Sequence, residues 1–145
     1  MPATKRFMNW TGVAFTPGGG SATPITGVTS VTIDAGGSLA KFSGDGDRYN
    51  TMVVNDMNDP VVTIQAADLA SIRSNPVGTA GTLAATHNDA RNGTGSGAIT
   101  YTLANAVIAS SSVHGAHRQF GLGTLVLNAY STDGITNPLS TTIAP

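Results

Sequence analysis

The chain has 145 residues, of which 40% are hydrophobic and only 10% charged, with a formal net charge of -1. That length suits one domain with a real core, and the charge content is far below the ~25% of an average soluble domain. The near-neutral balance argues against a dedicated duplex-DNA reader, which needs a basic stripe, and no run approaches the ~18 apolar residues of a membrane-spanning helix.

All eight acidic residues are Asp and none is Glu. Glu favours helices, whereas Asp bonds nearby backbone amides and favours turns and caps. With 18 Gly and abundant Thr, the chain reads as mostly β with many tight connections. Cysteine is absent, which leaves no disulfide framework and no thiolate metal site. Lys5 and Arg6 make the first residues basic, but no apolar signal core follows them.

In chain order, strand-forming runs occupy residues 8–15, 25–33, 38–43, 51–55, 61–66, 81–86, 98–112 (bent or split) and 122–131, with a short edge at 141–143. Gly18-Gly19-Gly20, Gly36-Gly37, Asn58-Asp59-Pro60 and residues 92–97 supply turn chemistry between them. One short helix is expected at residues 67–73, where Leu69 and Ile72 lie three apart. Asp68 suits its N-terminal end, Arg73 suits its C-terminal end, and Asn75-Pro76 stops it. The expected fold is therefore mainly β, running as strands, one short α-helix packed on a sheet, then more strands.

The segment 43–60 is an excursion carrying Asp45, Asp47, Asp56 and Asp59 against only Arg48, while Arg73, Arg91 and Arg118 lie elsewhere. Such separation of sign suits docking between copies, but from charge alone a solvated acidic hairpin is the better reading. Catalytic patterns are missing. His114 and His117 flank Gly115, with His87 as a distant third candidate ligand, and loop histidines explain them better than a zinc site. Asp45-Gly46-Asp47 begins like a calcium loop, but Tyr49, Asn50 and Asp56 stand where the loop needs Asp or Asn, Gly and Glu. Ser96, in Gly95-Ser96-Gly97, lacks the spacing of a nucleophile elbow, and Gly18-Gly19-Gly20 leads into Ser21-Ala22-Thr23-Pro24 rather than a phosphate-binding helix. Trp10 is expected in the core of the first strand. No enzyme activity and no cofactor are expected.

The order of segments carries a likeness. An N-terminal strand leads to Ile25-Thr26-Gly27-Val28-Thr29-Ser30-Val31, and the acidic excursion Gly44-Asp45-Gly46-Asp47 leads into Val61-Val62-Thr63-Ile64. Asp68-Leu69-Ala70-Ser71-Ile72 and Gly81-Thr82-Leu83-Ala84 follow, and the last strand breaks into Asp133-Gly134 and Asn137-Pro138. In this order the chain resembles the major tail, or tail tube, proteins of long-tailed bacteriophages. The resemblance implies a β-sandwich or barrel-like fold of two packed antiparallel sheets flanked by one short α-helix, in a virion protein, made in the bacterial host cytoplasm, that assembles into stacked hexameric rings. The lumen would hold a tape-measure protein and later conduct double-stranded DNA, with no membrane partner. It further implies long strands paired only in the oligomer, with Asp45, Asp47, Arg48, Asp56, Asp59, Arg73, Arg91 and Arg118 at contacts between subunits or rings. Thr100, Thr102, Thr124 and Asn128, on uncharged strands, are the lumen candidates. The alternative is a monomeric carbohydrate- or surface-binding β-sandwich using Trp10, Tyr49, Tyr101 and Tyr130.

Overall fold

The computed structural model describes residues 9–88 and 98–143. The elements run β1 (Asn9–Pro17), β2 (Thr23–Pro24), β3 (Val28–Asp34), β4 (Ser38–Phe42), β5 (Met52–Met57), β6 (Val61–Ala66), α1 (Leu69–Arg73), β7 (Ala80–Asn88), β8 (Ala98–His114), β9 (Leu122–Ala129) and β10 (Leu139–Ile143). The expected mainly-β, antiparallel architecture with one short helix is present. Strands β2-β1-β7-β8-β9-β6-β3 form one sheet, with β10 also paired to β8, while β4 and β5 form a second, two-stranded sheet.

Strand β8 organises the large sheet. Its first part pairs with β7, and the same residues pair on their other edge with β10; Leu103, for example, faces both Leu83 and Leu139. From Ala106 onward that other edge is taken by β9. The sheet thus has two layers hinged at β8: β2-β1-β7 with β10, and β9-β6-β3. The hinge is visible in the side-chain alternation. Leu103, Ala106 and Ile108 are all buried, and the three-residue step from 103 to 106 requires the bulge seen opposite Gly81 and Leu83. A strict period of two would have turned Ala106 outward. β1 also lies against β3, which closes the two layers toward a barrel.

The core lies between the layers. Val13, Phe15, Leu83, Ala85 and Leu103 come from one side, and Val62, Ile64, Ala66, Leu125 and Leu127 from the other. β6 and β9 alternate buried and partly exposed positions almost without exception, as strands with one face in a core must. Helix α1 closes one end. Asp68 caps it by accepting from the Ala70 amide at 3.2 Å, and also accepts from the Thr26 hydroxyl. The Thr26 hydrogen bond is the main reason the Asp68 carboxyl titrates below its ordinary value. Fully buried Ile72 fills the slot left by Gly123, where an added Cβ would sit 2.7 Å from Ile72 Cγ1. Buried Asn75 anchors the helix end by donating to the Ser71 carbonyl at 2.8 Å.

Several sequence expectations need correction. The run 25–33 is not one strand, because Gly27 adopts φ +67 and breaks it. Ile25 nevertheless stays in the core, its amide donating to the Val13 carbonyl at 2.8 Å. The run 98–112 is one bulged strand reaching His114, and 122–131 ends at Ala129. The long strands are not open edges waiting for an oligomer, since β8 and β9 are each paired on both sides within the chain. The excursion 43–60 is part of a longer hairpin, because β4 and β5 pair only with each other. Met8, the turn at 92–97 and Arg91 lie outside the described residues.

Candidate assembly surfaces

The β4–β5 hairpin is a projecting arm in which every strand residue is exposed. Its register pairs Phe42 with Met52, Ala40 with Val54, Lys41 with Val53 and Leu39 with Asn55. Since side chains alternate along each strand, Phe42, Met52 and Val54 lie on one face, joined past the bulge at Ser38/Leu39 by Met57, and Leu39 and Val53 lie on the other with Lys41 and Asn55. Phe42 is 61% exposed and Met57 65%. An isolated two-stranded hairpin is marginal in water, and this one leaves apolar side chains exposed on both faces.

The neck of this arm is tightly made. Gly36 has φ +64, its amide donates to Asp34 Oδ1 at 2.9 Å, and an added Cβ would collide with the Asp59 carbonyl. Asn55 Nδ2 donates to Asn58 Oδ1 at 3.1 Å across the base. A polar cleft of about 360 Å³ separates Asn55–Asn58 from the loop between β9 and β10. In that loop Asp133 accepts from the Ser131 hydroxyl at 2.7 Å, the Ile135 and Thr136 amides at 2.8 Å each, and the Thr136 hydroxyl at 2.6 Å. These donors, with the Thr136 hydroxyl first, hold the Asp133 carboxyl far below the usual carboxylate range.

The candidate contact residues fall into two groups. Asp45, Asp47, Arg48, Asp56 and Asp59 all belong to the arm or its neck, and all are exposed. Asp47 is committed locally, accepting from the Gly44 amide at 2.8 Å to shape the tip. Arg73 ends α1, and Arg118 sits in the turn between β8 and β9. The strand registers place these two arginines at the far end of the sheet from the arm. Asp34, Val61 and Asn128 are aligned at the arm end, whereas Ala66 pairs with Gly123 and Leu122 with His114 at the other.

The lumen candidates lie on strand faces directed away from the core: Thr102, Thr124 and Asn128 are offset by one from buried Leu103, Leu125 and Leu127, and Thr100 by three from Leu103. Thr100 stands beside Thr86, their hydroxyls 3.0 Å apart. Along the strands of the large sheet the described residues carry one formal charge, Asp34 at the end of β3. The outer faces are thus hydroxyl- and methyl-covered and nearly uncharged.

Trp10 is only half-buried, packing at the rim of the core with its ring edge-on to His87 at a 4.9 Å centroid separation. It opens with Tyr101, Val31, Ile33, Ala35 and Leu139 onto an apolar cleft of about 370 Å³ at the mouth between the layers. His87 therefore belongs to β7 and His114 ends β8, so neither is the loop histidine the sequence suggests. Among the described residues no three His, Asp or Glu side chains converge as a metal site would require, and no helix is long and apolar enough to cross a membrane.

Sequence reasoning found the charges of the arm and missed its apolar residues Leu39, Phe42, Met52, Val53, Val54 and Met57. Their signal was present as apolar residues at both odd and even positions of a short hairpin, where a one-sided sheet would keep them on a single face. No protein family matches the chain, and no curated protein is significantly similar to it.

Proposed function

We propose that this protein is a structural subunit that self-assembles into the stacked hexameric rings of a phage tail tube. In that role it encloses the tape-measure protein during assembly and conducts DNA during infection. The observation that carries the reading is the β4–β5 arm, exposed along its whole length in the single chain, with Phe42, Met52, Val54 and Met57 gathered on one face. Ring number, lumen contents and residence in the virion tail come from the resemblance in segment order.

The nearly uncharged outer faces suit a conduit, because a wall without Lys or Arg offers phosphate no counterion to displace. Thr100, Thr102, Thr124 and Asn128 are the wall residues under this reading. The monomeric binding-module alternative rests on the Trp10–Tyr101 cleft. Tyr49, 84% exposed near the arm tip, belongs to a different part of the molecule, so the aromatics do not form one platform. Sedimentation velocity on the purified chain separates the two: a tube subunit forms large species that grow with concentration, whereas a module stays a monomer throughout.

A further inference from the structure

The two ends of the space between the layers are finished differently. At one end α1 seats Leu69 and Ile72 over Gly121 and Gly123. At the other end the β1-β7-β8-β10 layer outruns the layer facing it. The row Asp34–Val61–Asn128 meets β8 at Val107, yet β8 begins at Ala98 and pairs from there with β7 and β10. Alternation carries the core-facing side of this overhang past buried Leu83 and Leu103 to His87, Ile99 and Tyr101, with Ile143 beside them on β10. Trp10 stands against His87, and Ile143 is 64% exposed. β3 lies against β1 and supplies Val31, Ile33 and Ala35 as the facing wall. The space between is the apolar cleft of about 370 Å³, its floor continuous with the core through Trp10, Val31, Ile33 and Leu139.

The lining defines what can enter. None of its side chains is charged, so a charged ligand would lose its water and find no counter-charge. Trp10 and Tyr101 form a corner, their ring centroids 6.1 Å apart and their planes inclined by 49°. A third ring in that corner can stack offset on one and stand edge-on to the other, at the ~4.5–7 Å separations that aromatic pairs favour. The volume lies at the small end of the ~300–1,000 Å³ range of ligand pockets, which suits a single ring. Tyr101 brings the one hydroxyl of the lining and Trp10 the one side-chain N–H. A sugar has a hydroxyl on nearly every carbon, and most would face Val31, Ile33, Ala35 and Leu139 unpaired.

We propose that this cleft binds an uncharged, single-ring aromatic molecule carrying one hydrogen-bonding group. The ring occupies the Trp10–Tyr101 corner, and the polar group meets the Tyr101 hydroxyl. The site stands apart from the arm and does not depend on assembly.

Equilibrium dialysis against 4-methylphenol tests the proposal, with the emission of Trp10, the chain's single tryptophan, reporting where the ring sits. The wild type should take up one equivalent per chain, saturating at roughly 1 mM or below. Its tryptophan emission should shift along the same curve, and methyl glucoside should move neither readout. Ala35→Phe, at an exposed position of the wall, should fill the cleft and weaken uptake by about tenfold or more with unchanged circular dichroism. Tyr101→Phe keeps the corner and removes the hydroxyl. It should weaken 4-methylphenol by about two- to tenfold and leave toluene uptake as in the wild type. Uptake without a change in Trp10 emission, equal uptake by the folded Ala35→Phe chain, or a preference for methyl glucoside would overturn the proposal. So would a Trp10 emission that follows protein concentration and ignores 4-methylphenol, which would give the cleft to a second copy.

Discussion

The arm and the body are built from the same kind of residue and meet opposite fates. β6 (Val61-Val62-Thr63-Ile64-Gln65-Ala66) and β5 (Met52-Val53-Val54-Asn55-Asp56-Met57) are six-residue strands of similar apolar content. The first buries every second side chain between two layers, while the second buries none within its own chain. Strand propensity is therefore not what separates them. The difference is how many neighbours each has: β6 lies between β3 and β9, whereas β5 has only β4. An element without a second neighbour in its own fold leaves its apolar residues in contact with solvent.

The largest expected effect breaks the comparison at the level of stability. Leu127→Ala, at a fully buried site, should cost about 2–5 kcal/mol in urea unfolding of the unassembled chain. Phe42→Ala, of larger truncated volume, should change it by no more than about 0.5 kcal/mol. Equal losses at the two sites would mean that the arm packs on its own body.

An intermediate effect isolates the neck. Gly36→Ala forces a Cβ into the Asp59 carbonyl at a positive φ, so the arm must leave the body at another angle. Hydrogen exchange should speed up in β4, β5 and residues 58–60 while β7 to β9 keep their protection. Assembly should fall with it, although no contact residue has changed. Uniform loss of protection across the sheet would mean that the neck belongs to the core.

The smallest effect concerns the loop facing the arm base. Because the folded Asp133 carboxyl titrates below its ordinary value of 3.8, its hydrogen bonds stabilise the loop fully above that pH. That contribution fades as pH falls below it toward the folded pKa. The amide signals of Ile135 and Thr136 should therefore hold their shifts down to pH 3.8 and move only below it. In Asp133→Asn the acid-dependent movement should vanish. A midpoint above the ordinary carboxylate value would mean that those hydrogen bonds do not hold in solution.

Much of the fold was legible because its signals are local. The period-two runs located the strands, Asp68 and Asn75-Pro76 bracketed the helix, and Asp-rich, Glu-free composition marked the turns. What escaped were features fixed by distant partners. Nothing near Gly27 says that residues 25–33 must break so that Ile25 can enter the core while β3 pairs with β6. The bulge carrying Leu103 and Ala106 to one face depends on β7. The arm was half legible: its acids stood out as a charge run, but the exposure of Phe42 and Met52 follows from strands that never come to cover them. Arg73 and Arg118 stand far apart in the sequence, and only the strand registers bring them to the end opposite the arm.

The most direct test of the account is negative-stain imaging of the purified wild-type chain beside Phe42→Asp/Met52→Asp. The account predicts hollow, ring-striated tubes for the wild type and none for the variant, with unchanged circular dichroism in both. Monodisperse globules in the wild type, or normal tubes in the variant, would contradict it.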